Sequence, residues 1–176
     1  MTELPRKGAR RIADVPASIL VQLNAGEIET RNLVECLAID LVQLLKSAIP
    51  EISKSSIKQI ESNKAKTWPA RTRLIAKVVF DQFGLDILPH LIAHSSDNVR
   101  GWGAGVIAHS QLKIDQQLEA LRPIADDHNA CTRETAWLLI RDQISQSLTE
   151  SLFHLSGWSH DESENIRRFG SEATRP

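Results

Sequence analysis

Arg167 and Arg168 stand side by side near the end of the sequence, next to Phe169 and one helical turn before Glu172. Neighbouring guanidiniums suit an anion such as a phosphate, but either one can also serve to close a structural repeat. A second group of cations lies upstream. Between Lys54 and Lys77 there are seven bases (Lys54, Lys58, Lys64, Lys66, Arg71, Arg73 and Lys77) against one acid, Glu61, with Trp68 among them. The whole chain carries a formal net charge of −1, so any grip on nucleic acid has to come from such a local patch. Arg6, Lys7, Arg10 and Arg11 extend it. Other chemistries are poorly supported. His90 and His94 sit at i, i+4 in HLIAH, without the glutamate of a zinc protease and without a third ligand. Cys36 and Cys131 form no CxxC pair. There is no P-loop, no GxGxxG and no nucleophile elbow. No metal and no cofactor are expected.

The chain that must position these residues has 176 of them, 41% hydrophobic and 24% charged. That describes an ordinary globular protein with one domain and a core large enough to fold alone. The basic opening MTELPRKGARRIADVP has no hydrophobic core of a signal peptide. The longest apolar stretch, LVECLAIDLVQLL, is interrupted by Glu35 and Asp40 and cannot span a bilayer. Two cysteines without a disulfide framework point to a reducing compartment. A soluble, cytoplasmic protein is expected, with no membrane partner.

The apolar spacing is helical throughout and predicts an all-α fold. Leu33, Leu37, Leu41, Leu44, Leu45 and Ala48 recur every three or four positions and predict one helix over 31–48, ended by Pro50. Ile52, Ile57 and Ile60 mark a weaker helix over 51–63. Another follows over 70–83, entered through Trp68-Pro69 and closed by Gly84. The second half repeats. Ser96, Asn129 and Ser163 lie 33 and 34 residues apart and are all good N-cap types. The same offsets then bring Val99, Thr132 and Ile166, next Arg100, Arg133 and Arg167, and later the small residues Gly103, Ala136 and Gly170. Each such helix follows another, over 85–94, 112–124 and 148–158, with Pro89 in the first turn of one or kinking it. Paired helices at this period predict a HEAT-like solenoid, a right-handed superhelix of antiparallel helix pairs. Residues 1–83 form N-terminal helices and 84–176 three helix-pair repeats of one domain. In such a repeat, Arg100 and Arg133 pair with acids or loop carbonyls. Asp97, Asp126, Asp127 and Asp161 are available as the acids. The counterparts of Arg168 are Gly101 and Glu134, so the repeat itself does not require a base there.

The closing ENIRRFGSEATRP resembles the motif VRRLxSEGTRP of the DNA alkylation repair glycosylases of the AlkC/AlkD type. The opening RKGARRIADVPASILVQLNAGEIETRNLVECLAID is similar to the N-terminal helices of the AlkC branch. TRETAWLLIR is similar to that branch's penultimate repeat. The likeness touches both ends and the repeat spacing, and the C-terminal motif is its most specific part. In the family the chain continues past this motif into a tryptophan-containing segment and further repeats. Here the sequence ends at Pro176, so it reads as a fragment or a shortened relative.

The resemblance implies a helical superhelix cradling duplex DNA and releasing cationic N3- or N7-alkylated purines. Such a base is already a good leaving group. The protein has to stabilise an oxocarbenium-like sugar and place a water, which a carboxylate can do. An indole face attracts the cationic base, and Lys or Arg holds phosphates. In these roles the resemblance implies Glu134 and Glu172 as carboxylates and Trp102 and Trp137 as lesion-contacting aromatics. It gives Lys64, Lys66, Arg71, Arg73, Arg167 and Arg168 as DNA contacts. Trp102 shares its repeat position with Phe169 and suits a core equally well, whereas Trp137 stands where the other repeats have Ala104 and Ser171. The alternative function is a catalytically inactive HEAT-like scaffold for protein–protein interaction.

Overall fold

The computed structural model describes residues 6–63 and 67–175, and these form helices with no strand among them. After a 3-10 turn at Ile12–Asp14, the helices are α1 (Ala17–Ala25), α2 (Leu33–Ala38), α3 (Leu41–Ala48), α4 (Lys54–Ser62) and α5 (Trp68–Phe83). A 3-10 turn at Gly84–Ile87 leads into α6 (Leu88–Ile92), followed by α7 (Asp97–Ala108) and α8 (Ile114–Ala125). The last three are α9 (Ala130–Gln146), α10 (Leu148–Trp158) and α11 (Glu164–Ala173).

The expected helix over 31–48 is two helices. Asp40 ends the run by accepting hydrogen bonds from the backbone N–H of Val42 and Gln43, so it caps α3 and leaves α2 short. Once the axis breaks, the apolar stripe breaks with it. Leu41, Leu44 and Leu45 are buried, while Leu33 and Leu37 stay 62% and 44% exposed. The other boundaries follow their cap residues. Ser53 caps α4, and Thr67 caps α5 with Pro69 in its first turn. Gly84, at φ 61°, closes α5 in a conformation that favours glycine. Pro89 lies in the first turn of α6 and kinks nothing.

Helix α7 is buried along its whole length and joins two cores. On one face Val99, Trp102 and Val106 pack with the N-terminal helices, including Leu23, Leu44, Ile75 and Leu91. On the other, Ala104 and Ile107 pack with α8 to α11, including Leu121, Leu139, Ile140 and Phe169. Two glycines let neighbours come close. A Cβ on Gly105 would lie 2.3 Å from the Cβ of Ala76 on α5, and one on Gly101 would lie 2.9 Å from the Cγ2 of Thr135 on α9. Gly103, expected at a close contact, would place its Cβ 2.9 Å from the Cδ1 of Ile124. Gly170, at the same repeat position, has only the Leu155 carbonyl nearby, at 3.7 Å. Helix α9 packs on α7, and α11 packs on α9, while α6, α8 and α10 each contact the helix that follows them.

Candidate functional site

The repeated arginines share one bonding pattern. Through Nη1, Arg100 donates to the carbonyls of His94 and Ser95, Arg133 to those of Asp127 and His128, and Arg167 to those of Asp161 and Glu162. Each arginine thus ties the start of its helix to the loop before it and satisfies carbonyls that have no helical partner. Arg167, a candidate DNA contact, is engaged in this way. Arg100 does more. Its guanidinium also meets Asp127, through Nε at 2.6 Å, and Glu29. The acids offered for such pairing divide up differently. Asp127 takes Arg100, Asp161 takes Arg122 at 2.5 Å, Asp126 accepts from Ser163 and Asn165, and Asp97 accepts from Thr30.

Four of the candidate residues converge where α9 lies against α11. Glu134 accepts from the indole N–H of Trp137 at 3.0 Å and from Arg168 Nη2 at 2.8 Å. Glu172 is 4.0 Å from Arg168 Nε and 3.3 Å from Arg175. The guanidinium of Arg141 lies 4.8 Å from the Trp137 ring centroid and donates to the carbonyl of Glu172 at 3.0 Å. The result is an indole already holding one cation, flanked by a fixed carboxylate and an arginine that is 59% exposed. The crevice among Glu134, Trp137, Arg168 and Phe169 holds about 10 Å³, far less than a purine needs.

The remaining candidates do not join this group. Trp102 has no exposed surface and is a core residue, so it offers no face to a ligand. Arg73 donates to the Leu138 carbonyl at 2.8 Å, which ties α5 to α9, and Arg71 is half-buried. Lys77 pairs with Asp81, so that part of the upstream charge is already matched, whereas Glu61 pairs with Lys46 outside the basic stretch. Lys64 and Lys66 lie outside the described residues. Arg6, counted among the N-terminal cations, is bound to the buried Glu35. Burial pushes the Glu35 carboxyl up, but Arg6 and the N–H groups of Arg31 and Ala9 outweigh it and hold it below the usual range. His90 donates through Nε2 to the Ala48 carbonyl at 2.8 Å, and His94 accepts from the Ser96 N–H at 3.0 Å. Both are interface histidines, and no group of residues suited to a metal ion occurs among the described residues.

One feature was not anticipated from the sequence. A cavity of about 660 Å³ opens between α2 and the start of α9, walled by Leu33, Leu37, Trp68, Pro69 and Leu138, with Cys36 and Cys131 among its lining residues. The Cys36 thiol donates to the Asn98 side-chain oxygen at 3.5 Å, and Cys131 Sγ accepts from Thr30 Oγ1 at 3.5 Å. Nothing in the local sequence signals the cavity, since its lining comes from distant segments. The exposure of Leu33 and Leu37, which follows from the break at Asp40, supplies one wall.

Searches of protein-family models, curated proteins and solved structures found no match to this chain. Among the described residues, no helix is long and apolar enough to cross a membrane.

Proposed function

We propose that this chain is a HEAT-like helical-repeat protein of the DNA alkylation repair type, which holds duplex DNA against the α9–α11 face. The observation that carries this reading is the convergence of Glu134, Trp137, Arg168 and Glu172 there, from helices whose residues are 34 apart in sequence. Arg168 is the phosphate contact, Trp137 the face for a cationic base, and Glu134 the carboxylate held ready beside both. Glu172 positions Arg168 and lies at the same edge. A crevice this small favours recognition of an N3- or N7-alkylated purine at the surface, without drawing the base into a pocket. A carboxylate there stabilises positive charge as it develops on the sugar, and this is the basis for N-glycosylase activity. The test is incubation with N-methylated duplex DNA, followed by chromatography of the released base. Release that disappears in Glu134→Gln supports the enzyme reading. Binding without release leaves a damage-binding protein, and absence of both rejects the DNA reading.

A second reading, a scaffold for protein–protein interaction, is favoured by α10. Leu148, Leu152 and Phe153 are exposed there, Phe153 at 77%, and such a surface has no use in phosphate binding.

A further inference from the structure

We propose that the cavity between α2 and the start of α9 binds a medium-chain apolar carboxylic acid, its hydrocarbon chain against Leu33, Leu37, Trp68 and Leu138 and its carboxylate on Arg31. The assignment is independent of the DNA reading. At about 660 Å³ the cavity has the size of a small-molecule pocket, and leucine, tryptophan and proline make up most of its wall. Leu33 and Leu37 stand one turn apart on α2, so they present a continuous apolar strip to this space. They are also among the most exposed large apolar residues of the chain, and a hydrocarbon chain lying on them removes that surface from water. Cys36 and Cys131 add thiol surface, which packs like a small apolar group.

The polar side chains of the lining decide what the other end of the ligand must be, because most of them are already satisfied. Thr30 Oγ1 donates to the buried Asp97, and Thr135 Oγ1 to the Cys131 carbonyl at 2.7 Å. Asn32 accepts from the Glu35 N–H and donates to the Ala9 carbonyl. Asn129 is matched at both ends in the same way, by the Cys131 N–H and the Thr30 carbonyl. Both carboxylates are occupied, Glu29 by Arg100 and His128, Glu134 by Trp137 and Arg168. What stays unmatched among the described residues is a pair of donors. One is the buried indole N–H of Trp68, and the other is the guanidinium of the exposed Arg31, which hydrogen-bonds only through its backbone N–H, to Glu35. Unmatched donors beside an apolar wall fit a ligand with acceptors at one end and hydrocarbon elsewhere. A carboxylate offers the negative charge and the two oxygens that suit a guanidinium fork. A cationic amphiphile would meet only carboxylates that already have partners.

The experiment titrates the full-length chain calorimetrically with octanoate, 1-octanol and octylamine, which share one chain and differ in the head group. The expected result is saturable binding of octanoate, tighter than 1-octanol by at least about tenfold, as a charge-assisted hydrogen bond allows. Octylamine should bind no better than the alcohol. Arg31→Gln, at an exposed position, should bring octanoate down to the level of 1-octanol and leave the alcohol unchanged. Leu37→Asp, on the cavity wall but 44% exposed in the free chain, should weaken both. The wild-type titrations stand by themselves if a variant fails to fold. The proposal is overturned by any of three results: no saturable binding of octanoate, octylamine bound as tightly as octanoate, or the same loss for acid and alcohol in Arg31→Gln. None of these readouts involves DNA, so the two readings fail separately.

Discussion

The arginine near the start of α7 and the one near the start of α11 make the same bonds in opposite surroundings. Arg100 and Arg167 each donate Nη1 to the carbonyls six and five residues back. Arg100 is nearly sealed, with 8% of its side chain exposed, and spans to Glu29 and Asp127 on two other segments. Arg167 is exposed and touches only its own loop. The repeat therefore sets the local geometry, and the depth of burial sets what it is worth. The central helix has little freedom to be anything but structural. Helix α11 leaves Arg168 59% exposed, with Glu172 beside it at 18%.

The largest effect is expected at Arg100. Arg100→Ala leaves the buried Asp127 without its arginine, and breaking a buried pair in this way costs about 3–5 kcal/mol. Urea denaturation should show this loss, with a much smaller change for Arg167→Ala. Equal losses would mean that depth of burial does not set what the repeated arginine is worth.

The glycines sharpen the same contrast. Gly105→Ala puts a methyl group 2.3 Å from the Ala76 Cβ, a contact that only a backbone shift relieves. Overpacking of this kind costs about 1–3 kcal/mol. Gly170→Ala meets nothing closer than 3.7 Å and gains up to about 1 kcal/mol of helix propensity. Opposite shifts in melting temperature are the expected outcome; a shift of the same sign in both would contradict the packing around α7.

How much of this was readable in advance depended on the range of the interaction. Asn129 and Ser163 cap helices where their type and spacing said they would, because capping is settled within three residues. Trp137 also stood out, as a large residue at a position kept small elsewhere. Asp40 was not recognised as a cap because the leucine spacing runs straight through it. Trp102 could be read as core or as site, since its position in the repeat allows either; burial decides for the core. The bond from Arg73 to the Leu138 carbonyl and the cavity between α2 and α9 join segments far apart in the chain, and no local pattern encodes them.

A pH dependence follows from His94, where the loop before α7 meets the N-terminal helices. Burial first, then the neighbouring His90 and Arg100, hold its folded-state pKa below the ordinary value. The bond from the Ser96 N–H to Nδ1 also requires that nitrogen to be unprotonated. The unfolded chain takes up a proton at about pH 6.5 while the fold resists it, so stability is full above that point and falls as pH drops below it. His109, depressed chiefly by burial, acts in the same sense. His94→Asn, which offers an oxygen acceptor without the titration, should flatten the decline between pH 7 and 5 without abolishing it. An unchanged slope would take His94 out of the account.

The smallest stability effect is expected at Arg168, and it decides whether the free face of α11 has a purpose. Arg168 lies about 100° around the helix from Arg167, so the two cannot share a contact. Its partners are Glu134 and Glu172, both reached from a largely exposed side chain. Exposed pairs of this kind contribute about 0–1 kcal/mol. Arg168→Ala should therefore leave the melting temperature nearly unchanged, whereas Arg167→Ala gives up two loop carbonyl bonds and lowers it modestly, by about 0.5–1.5 kcal/mol in stability. Duplex DNA affinity should respond in the reverse order. Loss of one phosphate contact makes the log–log salt dependence shallower by about 0.9 for Arg168→Ala and leaves it unaltered for Arg167→Ala. Glu172→Gln weakens the hold on Arg168 and should lower affinity by less than removing the arginine. If Arg168→Ala melts early and binds DNA with an unchanged salt slope, the arginine only braces α11 on α9. Arg100 and Arg167 would then differ in burial alone, and the reading of a protein-interaction surface on α10 would gain.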